Sequence, residues 1–181
     1  AEFMKLMIDN SKYKRIAGKL TLKVGAHFGM LDNYSSNIPL GPFERFHLGG
    51  TGLNGQDIFR GNDLIGLRGY PSESLVPFNG ATGLEGGTIY QKMNVELRHP
   101  VVLNASYSAY MYGFFEAGNT WSTRRDYQPL DLYKSAGFGM RFSLPFVGQF
   151  GLDWAYGFDK LPGQTKPSGS QLHFTIGMPI R

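Results

Sequence analysis

Apolar and polar residues alternate strictly in stretch after stretch of this chain. In 88–98, "TIYQKMNVELR", Ile89, Gln91, Met93, Val95 and Leu97 share one side, and Thr88, Tyr90, Lys92, Asn94, Glu96 and Arg98 the other. In 135–144, Ala136, Phe138, Met140, Phe142 and Leu144 oppose Ser135, Gly137, Gly139, Arg141 and Ser143. In 149–158, Phe150, Leu152, Trp154, Tyr156 and Phe158 oppose Gln149, Gly151, Asp153, Ala155 and Gly157. In 171–180, Leu172, Phe174, Ile176, Met178 and Ile180 oppose Gln171, His173, Thr175 and Gly177. Residues 19–30 follow the same rule, and a shorter strand at about 3–9 is expected to pair with a strand over 14–31. Residues 106–118 fit less cleanly, because Tyr110, Tyr112 and Phe114 share parity with Glu116. A period of two is that of a β-strand with two unlike faces. The pattern predicts six or seven strands and no convincing helix.

Alternation alone suits a soluble sandwich as well as a membrane barrel. Three details favour the barrel. The strands run about ten residues or more, where soluble strands average five or six. The apolar faces carry Phe, Trp, Met and Tyr without a charge. The opposite faces are small and polar, with charges of both signs at Lys23, Lys92, Glu96, Arg98, Arg141 and Asp153. Lipid outside and a polar lumen inside produce this pattern, and strands in lipid must close into a ring to satisfy their backbone groups. The connections agree. "LPFVGQF" and "HPVVLNAS" read as short links, residues 119–134 and 159–170 as longer polar loops, and residues 32–87 as one far longer loop. Short turns on one side and long loops on the other are the habit of outer-membrane barrels.

Composition narrows the picture. Charged residues are 18% of 181, below the usual quarter, and there are 25 glycines, 14 phenylalanines and 10 tyrosines. The absence of cysteine excludes disulfides and thiolate metal sites and fits an oxidising compartment. The net charge of +4 is spread without a basic run, so no nucleic-acid partner is expected. No stretch approaches eighteen apolar residues, so no transmembrane helix is expected. The opening "AEFMKLMIDNSKYKR" has no apolar core or cleavage site of a signal peptide; "AEF" reads as a cloning remnant and the chain as part of something longer.

Five segments then carry a resemblance. "GPFERFHLGG", "IGLRGY", "GGTIYQKMNVELRHP", "GFFEAGNTW" and the terminal "LHFTIGMPI" follow one another as in the last part of the BamA-type outer-membrane protein assembly factors, of the bacterial surface antigen superfamily. The resemblance runs from about residue 12 to the end. The arginine motif is fairly specific to that superfamily; the final strand motif is shared by many outer-membrane proteins. The resemblance implies an all-β antiparallel meander, the C-terminal six or seven strands of a sixteen-stranded transmembrane barrel, spanning 1–181. It makes 32–87 the long extracellular loop that folds into the lumen. The tip would be Arg68, Gly69 and Tyr70, docked on the inner wall. A guanidinium in a confined polar cavity needs carboxylates that match its planar fork. Glu96 and Glu116 have inward parity and are the candidate partners. Gly69 would let the backbone approach the wall closely. On the residues alone, a solvated loop arginine stays open.

The resemblance further implies a non-catalytic assembly and insertion factor of the bacterial outer membrane. Its partners would be membrane lipids, unfolded outer-membrane protein clients, accessory assembly lipoproteins, and either the rest of the barrel or, for an isolated fragment, self-association through open edges. The last strand, with Phe174, Ile176, Gly177, Pro179 and Ile180, would form a weakly paired seam: glycine weakens a strand, and proline removes a ladder donor. An open edge binds extended chains by strand addition. The rivals are a related two-partner secretion pore, an enzyme of the same superfamily with a lipase domain ahead of the barrel, and a soluble β-sandwich binding module. No cofactor is expected. "GTGLNG" matches a dinucleotide fingerprint only in spacing, since no helix pattern follows. His27, His47, His99 and His173 lack metal-ligand spacing and read as ordinary polar residues.

Overall fold

The computed structural model of the protein describes residues 3–33, 41, 44–51, 63–79, 84–104, 107–144 and 148–177. Seven long strands form one antiparallel sheet. They are β1 (Phe3–Ala17), β2 (Leu20–Asn33), β7 (Ile89–Leu103), β8 (Ser108–Trp121), β9 (Tyr133–Leu144), β10 (Gly148–Lys160) and β11 (Pro167–Gly177). Their order in space is their order in the chain. Between β2 and β7 the long loop carries β3 (Phe46–Leu48), β4 (Asp63–Ile65), β5 (Phe78–Asn79) and β6 (Leu84–Glu85), in two small two-stranded sheets. One three-residue 3₁₀ turn, Arg124–Asp126, is the only helical element among the described residues. Among the described residues no second large sheet packs on the seven-stranded one, as a sandwich would require.

The register shows how the period of two becomes a wall. Leu22, Leu97, Gly113, Phe138, Trp154 and Leu172 stand in one row across β2 to β11. Their face is open: Val24, Met93, Val95, Phe138, Leu152, Phe174 and Ile176 are exposed, and Leu22, Met140 and Phe150 are partly covered. These side chains fill no dry interior. They form the apolar outer band that a barrel turns to lipid. The alternate rows, with Asn94, Glu116 and Ser135 opposite one another, face the other way and are buried beneath the long loop.

Strand ends differ from the sequence expectation. β1 is longer than 3–9 because Gly18, at φ +53°, makes a tight turn and pairs β1 along the whole of β2. "HPVVLNAS" is not a link: β7 continues through Pro100 to Leu103. Proline is tolerated there for two reasons. The β2 ladder ends at Thr21–Arg98, so Pro100 has no neighbour on that side, and a register shift falls between Pro100 and Val102. The 32–87 loop is not structureless either. β3 and β4 pair in parallel, and Leu48, Leu67, Tyr70 and Leu75 pack with Leu161 into an apolar core under the loop.

The two tryptophans, both on outward rows, give a test of which part of that face meets lipid. Trp154 lies on the outer band beside Phe138, whereas Trp121 is buried against Tyr127. In vesicles with brominated acyl chains, we expect Trp154→Phe to remove most of the tryptophan quenching and Trp121→Phe to leave it. Equal quenching in the Trp154→Phe protein would refute the outer-band assignment.

Candidate functional site

The inner face is shaped for the loop by residue size. On β8, Tyr110, Tyr112 and Phe114 form a ladder of rings, with centroids 5.8 Å and 6.0 Å apart. Alongside Gly69 and Tyr70 the inward residues of β9 and β10 are small: Ser135, Gly137, Gly139, Ala155 and Gly157. The aromatic ladder is therefore a shelf beside a shallow trough. The loop tip lies along both.

Arg68 is 3% exposed. Its Nη2 donates to Glu116 Oε1 at 2.6 Å and to Glu96 Oε1 at 2.9 Å. Its Nη1 donates to the Tyr112 hydroxyl at 3.1 Å. Its backbone N–H donates to the other Glu116 oxygen at 2.9 Å. The guanidinium carbon sits 3.6 Å from the centre of the Phe114 ring, close cation–π range. Nε is the one donor of the group left without a partner. Each carboxylate also holds a second cation: Glu96 accepts from Arg98 at 2.6 Å, and Glu116 lies 3.3 Å from Lys92. Asp153, fully buried, takes both forks of Arg141 at 2.9 and 2.6 Å and accepts the Tyr112 hydroxyl.

The next two residues reach the remaining strands. Gly69 N–H donates to His173 Nε2 on β11 at 3.0 Å, which places the proton of a neutral His173 on Nδ1. Gly69 C=O accepts from Ser168 at 2.8 Å. The Tyr70 hydroxyl donates to the Lys134 carbonyl on β9 at 2.6 Å, and accepts from the Asp159 N–H on β10 at 3.2 Å. Three consecutive residues thus hold all five strands from β7 to β11. Only glycine fits the middle position. Gly69 has φ +91°, and a Cβ there would stand 2.9 Å from Ser135 Cβ and 3.0 Å from the backbone nitrogen of Gly157. Across the contact, a Cβ on Gly157 would stand 2.4 Å from the Gly69 oxygen.

The loop groups titrate as their surroundings dictate. Burial by itself would lower the Arg68 pKa, but the Glu116 charge and its hydrogen bond outweigh burial, and the pKa is raised above the usual guanidinium value. Burial pushes the Tyr70 phenol well above its ordinary value.

The structure brings Arg68, Gly69, Tyr70, Glu96 and Glu116 to one place. Phe174 and Ile176 stand elsewhere, exposed on the outer face of β11, with Gly177 at φ +113° ending the described strand. Pro179 and Ile180, and Gly52 and Gly55 of the glycine-rich motif, lie outside the described residues. Sequence reasoning had not assigned Tyr112, Phe114, Lys92, Asp153, His173, Ser168 or Asp159 to the tip. A signal existed for the first two, since their parity with Glu116 turns two rings toward the carboxylates. Asp153 and His173 carried the same inward parity. Among the described residues, no group of three or more His, Asp or Glu side chains is placed to hold a metal ion.

A wall of this kind, apolar outside, charged inside and braced by an inserted loop, defines a transmembrane β-barrel of the bacterial outer membrane. Residues 1–179 match the Omp85 superfamily domain, and the chain belongs to that superfamily. Solved structures agree on the fold. BamA from Haemophilus ducreyi, lacking POTRA domains 1–3, matches with a TM-score of 0.67 at 14% identity. The match covers 94% of this chain and 34% of that one, so this chain spans about a third of that protein's length. No curated protein sequence matches.

Breaking a buried ion pair from one side costs roughly 3–5 kcal/mol. For Arg68→Ala we expect the lower end, about 3 kcal/mol, because Lys92 and Arg98 still face the two carboxylates. The loss would be read as a lower unfolding midpoint in detergent and faster proteolysis within 63–79. Arg68→Glu combined with Glu96→Arg should recover part of it. Unchanged midpoint and protease resistance in Arg68→Ala would refute the role of the tip as a brace.

Proposed function

We propose that this chain is the client-facing wall of an outer-membrane protein assembly and insertion factor, and that it works without a catalytic group. The observation that carries the reading is the combination of Omp85 membership with an edge of β11 left unpaired among the described residues. Among the described residues β11 pairs on one side only, with β10. Its inward contacts to the loop are the Gly69–His173 and Gly69–Ser168 hydrogen bonds.

An edge with free backbone groups is a template for an incoming strand. The ordering of a client strand is driven by the client's own hydrogen bonding and burial, so no nucleotide is needed. In this reading the Arg68 tip keeps β7 to β11 rigid while the edge of β11 exchanges partners. The exposed Phe174 and Ile176 continue the apolar band up to the seam, where client side chains would meet lipid. Gly177, which carries no side chain and has a left-handed φ, lets the strand end bend away. Lipids, unfolded clients and accessory lipoproteins are the partners this role requires.

The test is reconstitution of the full membrane protein in proteoliposomes with a urea-unfolded outer-membrane barrel as client. Folding is followed by heat-modifiable gel mobility. We expect faster client folding than in empty liposomes. A disulfide engineered between β10 and β11 should leave the effect intact, because the exchanging edge is the opposite side of β11. Arg68→Ala should slow it about tenfold, the rate equivalent of ~1.4 kcal/mol in barrier. Passage of a soluble partner into the vesicle lumen without any acceleration of barrel folding would favour the secretion-pore reading and overturn this one.

A further inference from the structure

On the short-turn side of the Arg68 tip lies a cavity of about 100 Å³, enclosed by inward side chains of β1, β2, β7, β8, β9 and β10. Its charge does not balance. Arg68, Lys92, Arg98 and Arg141 are each within ion-pair distance of a carboxylate: Glu116, Glu116, Glu96 and Asp153. Lys23 also lines the cavity, and it is 6% exposed. Among the described residues it makes no hydrogen bond and joins no ion pair. Five cations share three carboxylates, an excess of two positive charges inside the wall. All three carboxylates are already committed to other cations. The Lys23 ammonium is left to the cavity, because Glu96 across the ladder is already held by Arg68 and Arg98. Asn94 lines the same cavity, but its Oδ1 is turned onto the bare backbone of Gly25.

We propose that this cavity is a binding site for a small oxyanion of the phosphate class, held by Lys23 with Arg98 beside it. The chemistry fits the open ammonium. A phosphate oxygen accepts from the Lys23 ammonium, and Arg98 supplies a guanidinium one residue pair away across the β2–β7 ladder, where Thr21 faces Arg98 and Lys23 faces Glu96. A cavity of this size holds such an ion with water to complete its shell. Occupancy would cancel the positive excess directly beneath Arg68. It would therefore favour the docked tip over the released one, since a ligand that binds one state better shifts the population toward it. The site does not depend on the insertase reading, because its occupancy is measured without a client.

The experiment uses the full membrane protein in neutral-detergent micelles, at constant ionic strength, with inorganic phosphate as the probe. Unfolding midpoint and the rate of proteolysis within 63–79 are followed as phosphate replaces chloride. We expect a saturable rise in midpoint and a parallel fall in proteolysis. Lys23→Met should raise the half-saturating phosphate concentration at least tenfold, and Lys23→Arg should retain binding. Lys19→Met, in the exposed β1–β2 turn, should behave as the parent. Should Lys23→Met fail to fold, phosphorus NMR of the unmodified protein decides: saturable broadening of the phosphate signal supports the site, and its absence overturns it. The proposal is also overturned if the midpoint responds equally to chloride and phosphate. It fails as well if a carbodiimide joins Lys23 to a carboxylate elsewhere in the full protein, since the charge would then be matched from within. A phosphate headgroup of lipid is distinguished from free phosphate by repeating the titration after exhaustive delipidation. A site already filled by lipid would respond to free phosphate only then.

Discussion

The structure depends on one buried cation. Arg68 enters a wall where Glu96 and Glu116 are each paired with one cation, Arg98 and Lys92, and gives both carboxylates a second partner. The guanidinium answers them with a planar fork, lies on the Phe114 ring, and adds its own backbone N–H to Glu116. Lysine could supply the charge but neither the fork nor the stacking. With the guanidinium in place, Gly69 and Tyr70 are carried against β9, β10 and β11. A sheet is stiff along its strands and soft across them, because adjacent strands are joined only by the ladder. A tip that touches five strands in succession is therefore a cross-brace, where a contact with one strand would only anchor the loop.

The brace requires two kinds of inner surface that are each unusual by themselves. Large rings line β8 and near-absent side chains line β9 and β10. The rings lower the local dielectric around the ion pairs, which strengthens them. The small residues let the Gly69 backbone lie against the Gly157 backbone. Neither would be stable facing lipid or water in this form. Each is explained by the loop that covers it, and the loop in turn is ordered by its own apolar core of Leu48, Leu67, Tyr70 and Leu75 with Leu161. The outer face has the opposite requirement, a continuous apolar band, and the period of two lets one strand satisfy both.

The tip does not grip every strand alike. The tip reaches β11 through the backbone of Gly69 alone, by two neutral hydrogen bonds, whereas β7 and β8 are held by charge-assisted ones. Hydrogen bonds involving charged groups are roughly twice as strong as neutral ones. The tip therefore grips β7 and β8 more strongly than β11.

The strands, their two faces and the direction of every inward charge were legible in the sequence, because the side-chain period of a strand is fixed by backbone geometry and needs no partner. The motif "LRGY" and the inward parity of Glu96 and Glu116 likewise named residues that lie together in the structure. Strand ends were not legible: Pro100 reads as a breaker until the β2 ladder is seen to stop before it. The rest of the site was not legible either. Lys92, Asp153 and His173 meet the tip only through the register of β7, β10 and β11 with their neighbours, and Asp159 reaches Tyr70 from a strand eighty-nine residues away in the chain. Alternation tells which way a side chain points, not which row it stands in. Rows are set by pairing between strands, and that is a property of the tertiary structure alone.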